Sequence, residues 1–120
     1  MSTIITKEKR INTEIRRLRQ IYADLPDNLK KLYDGLIRRA AYMRIQLEDY
    51  EQDMNDNGYV ESFSQSDKME PYERGRPVVG FYNTMMKNYQ QIMKQLAEKL
   101  PEQAVTDAGE ELRRFVARSK

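Results

Sequence analysis

The sequence has 120 residues and a mass of 14.3 kDa, the size of one ordinary domain rather than two independent cores. Charged residues make up 33% and hydrophobic ones 39%, and 21 Lys and Arg against 19 Asp and Glu leave a net charge of only +2. Cys, His and Trp are absent, which excludes disulfide scaffolds, zinc fingers, thiol nucleophiles and histidine acid–base chemistry. No apolar run approaches the ~20 residues that span a bilayer, and MSTIITKEKR lacks the apolar stretch of a signal peptide. The expectation is a soluble protein of a reducing compartment that acts by binding rather than by bond-making, with no metal or cofactor.

From about Thr6 to Ala23, Ile11, Ile15, Leu18, Tyr22 and Leu25 recur at helical spacing, and the rest of that helix is crowded with Lys7, Lys9, Arg10, Arg16, Arg17 and Arg19. A second helix opens after Pro26, with Asp27 placed to cap it. Leu29, Leu32, Leu36, Ala40, Met43, Leu47, Tyr50 and Met54 form its stripe, and Gly58 is its stop. At about 30 residues it would run roughly 45 Å. Tyr59 to Arg76 read as a polar linker without clear period, long enough to be functional or mobile. Pro77 suits the first turn of a third helix, striped by Tyr82, Met85, Tyr89, Met93, Leu96 and Leu100 and ending before Pro101. A short last helix near Asp107 to Val116 carries a capping-box pattern at Asp107 and Glu110.

The predicted architecture is all-α: a basic N-terminal helical segment over 1–25, a helical hairpin over 26–101 interrupted by the linker 59–76, and a tail helix over 102–120. Two helices side by side bury one narrow stripe each. Tyr33, Ile37, Tyr42, Tyr82, Met86 and Ile92 are left on the flanks of that hairpin. Apolar residues on more than one face of a thin hairpin predict self-association.

Charge is segregated along the chain. Residues 1–45 carry eleven basic and five acidic residues, 46–73 one basic and nine acidic, and 74–120 nine basic and five acidic, or +6, −8 and +4 in turn. The first block is a candidate phosphate-contacting surface. It reads equally as a solvated helix face, or as a partner for the acidic middle of a neighbouring subunit. The C-terminal cluster Arg113, Arg114, Arg118 and Lys120 is a second candidate for DNA, or a complement to a helix C-terminus.

Three motifs nearly match. Asp53, Asn55, Asn57 and Gly58 open like a calcium loop, but the twelfth position is Ser64 where a bidentate Glu is required. Gly75 and Gly80 have the spacing of a phosphate loop, but Phe81 and Tyr82 replace its Lys and Ser/Thr. Glu48, Asp49, Glu51, Asp53 and Asp56 crowd one helical segment without an enclosing pocket, so a solvated or ion-paired face is expected there rather than hydrolytic chemistry.

The stretch LYDGLIRRAAYMRIQLEDYEQDMNDNGYVESF, followed by ERGRPVVGFYNTMMKNYQQIMKQLAEKLP, resembles the small terminase subunits of tailed double-stranded DNA phages and prophages. A helix rich in Ala, Met and Leu leads to an acidic end and Asn-Gly. A polar linker, a Pro, the Asn of FYNTMMKNY and a helix closing on Leu-Pro follow in the same order. The resemblance covers residues 30–101. It implies a non-enzymatic DNA-packaging subunit that assembles as a homo-oligomeric ring in the bacterial host cytoplasm, binds viral DNA and engages the large terminase subunit, which carries the ATPase and nuclease. It also implies that Ala40, Tyr42, Met43, Leu47, Tyr82, Met85, Met86, Tyr89 and Met93 build the core and the ring contacts. Many relatives carry an N-terminal helix-turn-helix, which the ~25 residues before this hairpin are too few to form. DNA contact is therefore expected at the backbone, through Lys7, Lys9, Arg10, Arg16, Arg17 and Arg19 repeated around a ring. Two other readings stay open: a helical adaptor whose basic first helix pairs with residues 46–56 of a neighbour, and a small helical regulator.

Overall fold

The computed structural model describes residues 6–98; the tail helix expected over 102–120 and its basic cluster lie outside the described residues. The chain is mostly helical. It runs α1 (Lys7–Ile21), α2 (Asp27–Asn57), β1 (Val60–Phe63), β2 (Tyr72–Gly75) and α3 (Pro77–Glu98). α1 starts where the Thr6 side chain accepts the amide of Lys9, and Glu8 sits in its positive first turn. α2 departs from the expectation in one detail: Pro26 is the flanking residue, with no side-chain cap, and Asp27 is the first helical residue. Its stop is the expected one. Gly58 has φ 82°, in the half of conformational space that glycine enters most readily, and its amide bonds back to the Met54 carbonyl at 2.8 Å.

The segment 59–76 is not an irregular linker. It is a β-hairpin, so the chain is not purely helical. β1 and β2 pair antiparallel from Val60 opposite Gly75 to Phe63 opposite Tyr72. Facing side chains hold the ribbon: Phe63 and Tyr72 meet edge-to-face at 5.9 Å, the Arg74 guanidinium lies 3.5 Å from the Phe63 ring centre, and Arg74 bridges to Glu61 at 2.6 Å. Arg76 anchors the ribbon to α2, donating to the Gly58 carbonyl at 2.8 Å and to the Asp53 carboxylate at 3.0 Å.

α2 is the central element, about 46 Å long at 1.5 Å per residue, and both α1 and α3 run antiparallel to it. Arg10 reaches Asp49 while Arg19 reaches Asp34; Tyr82 reaches Glu51 while Leu96 joins the core beside Ile37. The core comprises Ile15, Leu18 and Tyr22 from α1, Ile37, Ala40 and Ala41 from α2, and Leu96 from α3. Residues 1–25 are therefore not a separate leader, because α1 supplies one wall of the shared core. Its docking also changes the premise for self-association. Ile37 is buried, and Tyr33 and Ile92 pack against the core, so three of the flanking apolar residues are covered within the chain.

Candidate assembly and nucleic-acid surface

The basic residues of α1 divide into three sets. Lys7, Arg10 and Arg19 face α2 and meet carboxylates of the same chain. Arg10 spans Asp49 at 2.6 Å and Glu48 at 3.1 Å, Lys7 stands 3.7 Å from Asp49, and Arg19 grips Asp34 at 2.8 and 3.1 Å. Lys7 also donates to Gln46 and lies 5.5 Å from the Tyr42 ring centre. Hydrogen bonding to Asp49 raises the Arg10 pKa, and bonds from Arg19 and then Arg38 lower that of Asp34. Arg17 grips both oxygens of Glu14 at 2.8 and 2.7 Å, one turn back. Lys9 and Arg16 lie on the outer face of α1, exposed and with no carboxylate within ion-pair distance among the described residues; Arg16 donates only to the Thr13 hydroxyl at 3.2 Å. The six cations nominated from sequence thus do not form one free patch. The acidic middle is met by α1 of its own chain, not only available to a neighbour.

The nominated interface residues also separate. Ala40 and Leu47 are 0% and 4% exposed, interior residues beyond the reach of a second subunit in this fold. Met43, Tyr82, Met85, Met86, Tyr89 and Met93 are half-buried, and only Tyr42, at 49%, is largely open. Tyr82 donates to Glu51 at 2.9 Å, while Tyr89 lies beside Arg44, raising its pKa. These two residues tie α3 to α2.

A shallow groove of about 480 Å³ opens on the outer side of α2, lined by Gly35, Arg38, Arg39, Tyr42, Met43 and Met85. Gly35 forms part of its floor, and a Cβ added there would meet nothing within 4 Å. Leu32, one turn before it, is 67% exposed. The apolar stripe read from sequence includes Leu32, which the fold leaves outside the core, and it gives no role to Gly35 or Arg39. The available signal was a glycine inside an otherwise uninterrupted helical run, which costs about 1 kcal/mol relative to Ala. Two smaller cavities, of about 220 and 260 Å³, lie beside Met54 and Tyr82 and beside Tyr22 and Tyr33.

The near-motifs are taken up by secondary structure. Asp53, Asn55 and Asn57 are helical, with Asp53 engaged by Asn57 and Arg76, so they form no loop around an ion. Gly75 closes β2, and Gly80 lies inside α3. Among the described residues no helix is long and apolar enough to cross a membrane. No family model, no curated protein and no solved structure matches the chain.

Proposed function

We propose that this chain is a non-catalytic assembly subunit of the small-terminase kind, which self-associates, probes duplex DNA through phosphate contacts and presents it to a large ATPase and nuclease subunit. The resemblance over residues 30–101 supplies the packaging role. The observation that carries self-association is the outer face of α2, where Leu32 and Tyr42 stay 67% and 49% exposed after α1 and α3 have docked. Lys9 and Arg16 support backbone contact, because unpaired cations on an outer helix face release counterions when they meet phosphates. One protomer offers few such contacts. A cyclic assembly repeats them and gains through multivalency.

The test is duplex binding across a salt series, beside the assembled mass by native mass spectrometry. The Lys9→Ala/Arg16→Ala variant should keep its assembly, and its slope of log K against log salt should fall by about 2. An unchanged slope would remove this surface from the proposal, and absence of any salt-sensitive DNA binding would sink the packaging role.

A second reading, a protein-interaction adaptor without DNA, is favoured by one specific observation. Lys7, Arg10 and Arg19 are already engaged by Asp49, Glu48 and Asp34 of the same chain. Under that reading the double variant leaves every binding property of the chain unaltered.

A further inference from the structure

The ribbon formed by β1 and β2 has little support from the helices. Its strands have four residues each, pack chiefly on each other, and each keeps one edge without a strand partner among the described residues. A two-stranded ribbon of that size is marginal in water by itself. Arg76 ties its base to Asp53, yet Val60, Met69 and Tyr72 stay 53%, 52% and 47% exposed. Its ion pairs are Arg74 with Glu61 and Arg76 with Asp53. Three carboxylates, Asp67, Glu70 and Glu73, are left against one unpaired cation, Lys68, among the described residues.

The groove between α2 and α3 has the opposite character. Met43 and Met85 are half-buried in it and can adapt to an inserted side chain. Arg38 is held by Asp34 and Lys7 lies over the Tyr42 ring, so these two side chains are walls already fixed by their own chain. The unpaired cations are Arg39 in the groove and Lys31 on its rim, neither with a carboxylate partner among the described residues. Leu32 adds exposed apolar surface beside Lys31. None of residues 60–75 lines this groove in its own chain, and the Asp53 anchor of the ribbon lies about 27 Å along α2 from Gly35.

We infer that the ribbon of one copy seats in the α2–α3 groove of the next. The arrangement sets Glu70 and Glu73 against the unpaired cations of the groove and takes Met69, Tyr72 and Leu32 out of water. The occupant is a second copy because ribbon and groove carry opposite uncompensated charge, whereas the phosphates of a duplex would meet carboxylates on the ribbon. The contact joins two different patches, so every copy gives one and receives one. Such a head-to-tail contact closes into a ring where the rotation between copies permits, the cyclic form proposed above. The inference rests on the self-association reading and names the two surfaces that carry it.

Charge reversal tests it. Glu70→Lys/Glu73→Lys reverses the ribbon, and Lys31→Glu/Arg39→Glu reverses the groove. All four side chains are exposed, so both variants should keep the wild-type circular dichroism. Each variant alone sets like charges together and should run as a monomer in native mass spectrometry. Mixed, they should reassemble with the two chains in equal numbers, because each reversed ribbon meets a reversed groove and each native ribbon a native groove. Variants that assemble as the wild type does, or a mixture that stays monomeric, overturn the ribbon-in-groove contact, while wild-type assembly keeps the self-association reading. A wild-type chain that is monomeric at every concentration overturns both.

Discussion

Glu14 is the buried charged side chain among the described residues, 7% exposed, and it lies where all three helices meet. Arg17 holds it from its own helix, Arg44 of α2 approaches to 3.7 Å, and Tyr89 of α3 lies against Arg44. Glu14→Gln removes the charge that two guanidiniums face, and should lower unfolding stability by about 1–3 kcal/mol in urea titration. Tyr22 is the other polar junction: its hydroxyl donates to the Leu96 carbonyl, joining α1 to the end of α3. Burial, followed by the influence of Tyr33, pushes the Tyr22 pKa up to about 12. Because the folded-state pKa lies above the unfolded value of ~10, this contribution is complete below pH 10 and is lost as pH rises toward 12. Alkaline unfolding followed by circular dichroism should show up to about 2–3 kcal/mol of loss across that window, and Tyr22→Phe should flatten it.

At the scale of elements, the helices follow from periodicity and the hairpin does not. α1, α2 and α3 carry apolar residues every three or four positions over 15, 31 and 22 residues, long enough for the pattern to be unambiguous. The strands have four residues each, and the intervening eight residues, Ser64 to Pro71, separate two fragments that make sense only as partners. Val60 to Phe63 gains its ladder and its Phe63–Tyr72 contact from a segment nine or more positions away, beyond any local pattern. Two glycines in or beside α2 behave in opposite ways. Gly58→Ala forces a Cβ onto a residue at φ 82° and should cost about 1–2 kcal/mol. Gly35→Ala meets nothing and should gain about 0.5–1 kcal/mol, read as a rise in Tm of the isolated protomer.

For the whole molecule, the segregation of charge along the chain becomes an intramolecular fastening. The +6 of residues 1–45 and the −8 of 46–73 meet where Lys7 and Arg10 lie on Glu48 and Asp49. These pairs are partly exposed, so each adds little and is screened by salt. A double-mutant cycle on Arg10 and Asp49 should give a coupling of about 0.2–1 kcal/mol that fades toward 1 M salt. The apolar residues of α1 contribute more to docking. Leu18 is 2% exposed, and Leu18→Ala should cost about 2–5 kcal/mol. This order of magnitudes explains why nominating α1 as a DNA surface from charge alone was incomplete. Its hydrophobic stripe fixes the helix against α2, and that docking turns Lys7, Arg10 and Arg19 toward carboxylates while Lys9 and Arg16 face outward.

Sequence alone determined the three helices, their order, the glycine stop at Gly58 and the proline start at Pro77, because each depends on local spacing or on backbone conformations that particular residues favour. It also exposed the charge blocks, which are sums over neighbours. Tertiary structure decided what those features face. It set Ala40 and Leu47 inside the protomer, closed a ribbon from 60 to 75, joined Glu14, Arg44 and Tyr89 across three helices, and left the Gly35 side of α2 uncovered. The reason is that a helical period identifies an apolar stripe but not its occupant. Occupancy is divided between α1 and α3 on the same central helix, settled by contacts far apart in the chain.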